Sequence, residues 1–125
     1  METEKVLSFR DLEIYRISSD LAVKIYTKSL ELPSQDKFEA GSQIRRSSQG
    51  IKDAIVEGYG RRKYKNDFIK FLVYAHASSL EALSQAEFLH QVHADEDWEK
   101  IASELDKLGS KIHNFITYVE NHWRT

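Results

Sequence analysis

The sequence predicts an all-α protein, a single up-down-up-down four-helix bundle. Three observations lead there. Ala, Leu, Glu, Lys, Ile and Ser dominate while proline occurs once, at Pro33, which is the composition of a helix former. Four segments repeat apolar residues at spacings of three and four, the period of a helix with one buried face. The breaks between them are short, and short connections favour antiparallel neighbours. At 125 residues the chain holds one hydrophobic core. One domain is therefore expected over residues 1–125, with 1–10 as a flexible N-terminal segment.

The first helix is expected from about Asp11 to Glu31, with Ile14, Ile17, Leu21 and Ile25 on one face and Ala22 and Tyr26 beside them. Leu32-Pro33-Ser34 ends it, because the residue before a proline avoids the α region. A second helix spans roughly Asp36 to Glu57 on the strip Ile44, Ser48, Ile51 and Ile55. Gln43, Ser47, Gly50, Ala54 and Gly58 run alongside. Glycine within a helix costs about 1 kcal/mol relative to alanine, so Gly41 and Gly50 are read as points where a neighbour comes close.

Gly58-Tyr59-Gly60 is a stop signal, and the basic run Arg61 to Lys65 forms the corner after it. The third helix is expected from Lys65 or Asn66 to Gln91 on the seam Leu72, Ala75, Ser79, Ala82, Ala86 and Leu89. At 1.5 Å per residue it is roughly 40 Å long. A second apolar strip, Phe71, Tyr74, Leu80 and Leu83, exceeds what one bundle core requires and points to a subunit contact. Gly50, Ala54, Gly58, Phe71 and Tyr74 are the candidate interface or packing residues. After His93-Ala94-Asp95 a last helix runs from about Glu96 to Asn121, with Ile101, Leu105, Leu108, Ile112, Phe115 and Val119 as its seam.

Several function classes lack their residues. With no cysteine there is no disulfide framework, thiolate nucleophile or zinc-thiolate site. The five histidines fall in no H-E-x-x-H or E-x-x-H arrangement, so neither a metal nor a cofactor is expected. Ser47, Ser48, Ser78 and Ser79 lie in helices without a G-x-S-x-G turn, which makes them packing residues rather than nucleophiles. G-Y-G-R-R-K lacks the third glycine and the preceding strand of a nucleotide loop. The chain is therefore read as no enzyme. The N-terminus has no apolar leader and no segment is apolar enough to span a membrane, so a soluble, cytoplasmic protein is expected.

The net charge of -2 conceals a local surplus. Between Arg45 and Lys70 eight basic residues face three acids, an excess of five, and the rest of the chain carries seven net negative charges. A phosphate backbone responds to the local field. Tyr59, Tyr64 and Phe68 interleave with Arg61, Arg62, Lys63 and Lys65, a mixture able to pair phosphates and stack bases. Arg45, Arg46 and Lys52 extend that set along the second helix. The same residues suit a solvated helix corner, with Tyr59 and Phe68 capping the core and the arginines pairing with Asp53 or Glu57. Composition leaves the two readings even.

The run Q-I-R-R-S-S-x-x-I-x-x-x-I-V-E-G-Y-G-R, followed by D-F-I-K-F-L-x-x-A-x-x-S-L-E-A-L, resembles a bacterial four-helix-bundle family encoded in intervening sequences of large-subunit ribosomal RNA genes. Gln43, Ile44, Arg45, Arg46, Ile51, Ile55, Glu57, Gly58, Phe68, Phe71, Leu72, Ala75, Ser79, Leu80 and Leu83 match its pattern. The family's proline and asparagine are Lys52 and Ala54 here, which favours a continuous second helix. The resemblance implies a left-handed bundle assembled as a ring, typically a homopentamer. The chain is also similar to the accessory variability determinant proteins of diversity-generating retroelements. That likeness implies RNA or DNA binding and a reverse transcriptase as a possible partner. A structural or scaffolding oligomer that binds a protein and no nucleic acid is the alternative.

Overall fold

The computed structural model describes residues 6–124. A 3-10 turn, Phe9–Asp11, leads into α1 (Glu13–Ser29), a short α2 (Ser34–Phe38), then α3 (Ala40–Gly60), α4 (Lys65–His93) and α5 (Glu96–His122). Among the described residues there is no strand, and no helix is long and apolar enough to cross a membrane. α4 packs along both α3 and α5, and α1 lies chiefly on α3 with a lesser contact to α5.

The seams read from the sequence are the core. Ile14, Leu21 and Ile25 of α1 are buried with Ile44, Ile51 and Ile55 of α3, Ile17 is half-buried against them, and the seam of α4 from Leu72 to Leu89 is buried throughout. On α5 every seam residue from Ile101 to Val119 is buried, joined by Trp98 in the first turn. Small residues let α4 and α5 approach closely: a Cβ on Gly109 would lie 3.2 Å from Ser79 Oγ. The buried serines satisfy themselves within their own helices. Ser18, Ser29, Ser48 and Ser79 donate to the carbonyls of Tyr15, Tyr26, Arg45 and His76, three residues back.

Three expectations need correction. α1 starts at Glu13 rather than Asp11, because Ser8 and Asp11 form a reciprocal capping box on the preceding turn and Leu12 is extended. Tyr26 lies on the surface, one step too far around α1 to join the core. The second helix is broken at Glu39 (φ -106°, ψ -88°), which separates α2 from α3. Beyond that break α3 runs unbroken through Lys52 and Ala54. Residues 1–5 of the expected N-terminal segment lie outside the described residues, while Val6 and Phe9 pack on the core and Phe9 meets Tyr15 edge-on.

Candidate nucleic-acid interface

The basic corner is a tight main-chain turn. The Arg61 N–H donates to Gly58 O, Arg62 N–H to Tyr59 O, and Tyr64 N–H to Arg61 O at 2.9 Å. Tyr64 is the N-cap of α4 and offers it no side-chain cap. Gly58 makes the corner possible: a Cβ there would stand 3.1 Å from Phe71 Cβ and 3.3 Å from the Phe68 ring and carbonyl. The first turns of α4 thus press directly onto the end of α3. Gly50 is roomier, since a Cβ there would meet Ser78 Oγ only at 3.5 Å, an ordinary contact.

The four corner cations differ in their company. Arg61 pairs with Glu57 at 3.1 Å and lies 3.8 Å from Asp67, with its guanidinium over the Phe71 ring. Its charge is compensated. Arg62 stacks on Tyr59 at 4.0 Å and donates to the Tyr59 carbonyl. Lys63 stands beside the Tyr64 ring. Arg62, Lys63 and Lys65 have no ion pair among the described residues. Of the interleaved aromatics, Tyr59 and Phe68 are buried and cap the core edge-on to one another, whereas Tyr64 is exposed.

The basic window does not form one patch. Arg45 lies about 24 Å along α3 from Arg61, at 1.5 Å per residue, and turns inward. It donates to Ser29 Oγ at 2.8 Å and to the Lys37 carbonyl at 2.9 Å, which joins the ends of α1 and α2 to α3. Arg46 is exposed beside a polar groove of about 460 Å³ between α3 and α4, where Ser47 Oγ donates to Gln85 Oε1 at 2.6 Å. Lys52 pairs with the adjacent Asp53. Ala54 is half-buried. Phe71 and Tyr74 meet edge-on at 5.3 Å, and Tyr74 opens to solvent with Val73, Leu80, Phe88 and Val92.

Charge is divided between the two ends of the bundle. The start of α1 meets the second half of α5 through Glu13 and Lys111, and Phe68 beside the basic corner meets Trp123 at 5.1 Å. At the other end gather Glu31, Asp36, Asp95, Glu96, Asp97 and Glu99. There Lys28 binds Asp95 at 2.6 Å and His93 Nε2 meets Asp36 at 2.8 Å. The Lys28 hydrogen bond, with the Asp97 N–H, holds the Asp95 carboxyl below the usual range. The same bond raises Lys28 against the opposing effect of burial. Among the described residues no three acidic or imidazole side chains are grouped as metal ligands. Sequence patterns did not foretell the Lys28–Asp95 and His93–Asp36 pairs, which join residues 67 and 57 positions apart.

Comparison with known proteins places this architecture. The model of the 23S rRNA-intervening sequence protein family matches residues 10–114, most of the chain. The chain belongs to this family. A crystal structure of a protein of unknown function from the S23 ribosomal protein family of Bacteroides thetaiotaomicron is similar, with a TM-score of 0.74 at 23% identity. The match covers 83% of this chain and 95% of that one, so the two share a fold. No curated protein matches the chain. Within the family's matched span lie all seven candidate cations, both the inward Arg45 and the exposed corner.

Proposed function

We propose that the chain is a non-enzymatic, cytoplasmic homo-oligomer whose repeated basic corners bind the phosphates of RNA or DNA. Arg62, Lys63 and Lys65 make the main contacts, and Arg61 joins them by exchanging its carboxylates for phosphate. The observation that carries this reading is that these three cations stand exposed or half-exposed at one corner without an ion pair among the described residues. Arg46 and Lys52 contribute at the margin, and Arg45 serves the fold.

Assembly belongs to the same reading. The outward face of α4, where Val73, Tyr74, Leu80, Phe88 and Val92 are all about half exposed, is the surface through which copies meet, as a ring with a pentamer favoured by the family resemblance. The helices are read as a left-handed up-down-up-down bundle, and the Glu13–Lys111 and Lys28–Asp95 pairs, which set α1 antiparallel to α5, support the alternation of direction. A reverse transcriptase is the protein partner that the likeness to retroelement accessory proteins implies.

A scaffold that binds protein alone is the second reading, favoured by the exposed Phe38 and Leu30 far from the basic corner. Salt separates the two. Binding of generic RNA and DNA, measured over a range of ionic strength, is expected to weaken steeply, with a logarithmic slope of about -0.9 per phosphate contact on duplex DNA. Absence of binding even at low salt, or binding indifferent to salt, sinks the nucleic-acid reading.

A further inference from the structure

We propose that Tyr64 is a stacking platform for an unpaired base, which makes the basic corner selective for single-stranded over duplex nucleic acid. The inference rests on the phosphate-binding reading above and names the ligand class of that same corner.

Of the three aromatics interleaved with the corner cations, Tyr59 is 6% exposed and Phe68 0%, both committed to the core. Tyr64 is 64% exposed. Its backbone is nonetheless fixed on both sides. Its N–H donates to Arg61 O at 2.9 Å, and its carbonyl accepts from Phe68 N–H at 3.0 Å. The ring is therefore presented from an anchored point, so little backbone freedom remains to be lost when a flat partner lands on it. Lys63 Nζ lies 5.7 Å from the ring centroid, and Lys65 follows Tyr64 directly in sequence. An exposed aromatic ring with one ammonium group beside it and a second basic residue next in sequence matches a nucleotide, whose base stacks while its phosphates pair.

Phe38 and Phe88, the other two aromatics more than half exposed among the described residues, lack this setting. Phe38 precedes Glu39 and Phe88 follows Glu87, carboxylates that repel phosphate. A duplex cannot use the platform, because its bases already stack on each other and present only edges in the grooves. Unpaired bases in loops and single strands offer their faces. Every base has such a face, so selectivity is for strandedness rather than for base sequence.

The test uses the full chain and fluorescence anisotropy over a salt series. The probes are a labelled oligo-uridine of about 12 nucleotides and a loop-free RNA duplex of about 12 base pairs. The expected result is tighter binding of oligo-uridine and a loss of about 5- to 100-fold on it for Tyr64→Ala. That variant keeps its duplex affinity and its salt slope, and Tyr64→Trp retains oligo-uridine binding. Lys63→Gln with Lys65→Gln weakens both probes and flattens the slope. The stacking inference is overturned if Tyr64→Ala leaves oligo-uridine binding unchanged, weakens both probes equally, or alters the mass of the assembly. Salt-dependent binding that survives those outcomes leaves the phosphate reading standing, whereas no binding of either probe at low salt ends both.

Discussion

Arg45 donates a 2.8 Å hydrogen bond to the buried hydroxyl of Ser29, and that hydroxyl in turn donates to the Tyr26 carbonyl. A second N–H of the same guanidinium satisfies the Lys37 carbonyl near the end of α2. One side chain thus holds three helices where the chain breaks at Glu39. Arg45→Ala is expected to cost about 2–3 kcal/mol, since charged hydrogen bonds are lost and the groups they satisfied are left half-buried. Arg45→Lys should recover only part, because an ammonium cannot span both acceptors as the planar fork does. Urea denaturation measures both, and a neutral Arg45→Ala would show that the clasp contributes nothing.

The glycines of the corner should separate by the space around them. Gly58→Ala drives a methyl to within 3.1 Å of Phe71 Cβ and is expected to destabilise by about 1–3 kcal/mol. Gly60→Ala meets nothing within 4 Å and has no positive φ. It should stabilise by about 0.4–1 kcal/mol through the unfolded chain. Thermal melts of the two variants with opposite signs support the close α3–α4 approach, and equal shifts contradict it.

Stability should fall at both ends of the pH scale through one pair. Asp95 titrates below its unfolded value, so its contribution is present above about pH 4 and is lost as pH drops through the folded pKa. Lys28 titrates above its unfolded value, so its contribution is present below about pH 10 and is lost as pH rises further. Asp95→Asn keeps an N-cap acceptor for the Asp97 N–H and removes the charge. The variant should lose less than about 1 kcal/mol at neutral pH. Its denaturation midpoint should depend less on pH below about 4 than that of the parent. An unchanged acid limb would show that other carboxylates set it.

The outer face of α4 is the place to test assembly. Leu80→Glu puts a charge on a half-exposed position without disturbing the buried seam, so helical content should persist while the solution mass falls. Sedimentation or light scattering reads the change. A mass unaltered by this substitution, or a parent chain that is already monomeric, removes the role assigned to this face.

The helices were legible because their seams are long and regular: nine residues of α5 are buried, and the sequence pattern marked six of them. The break at Glu39 was not legible, because what stabilises it is Arg45 reaching back from the next helix, a contact between separate elements. The same limit applied to the site. Arg45 and Arg61 look alike in the sequence, yet one fastens helices and the other is matched by Glu57 and Asp67. Tyr59 lies four residues past Ile55 on the buried strip of α3, so its capping role could be read from the period, whereas Tyr64 stands in the turn and only the turn decides that its ring faces outward.

The division of charge between the ends bears on encounter before it bears on affinity. A molecule with a net charge of -2 approaching a polyanion is repelled as a whole. That monopole is screened beyond about 8 Å at physiological salt. Inside that distance the polymer meets whichever end is presented, and the corner carrying Arg62, Lys63 and Lys65 is more attractive to it than the end where the acids gather. On the proposed reading, a collision made acidic end first is unproductive, and one made at the basic corner can lead on to binding. In a cyclic assembly all subunits share one direction along the axis, and whatever component of each charge dipole lies along that axis adds, giving the ring one face that a polyanion can approach and another that turns it away.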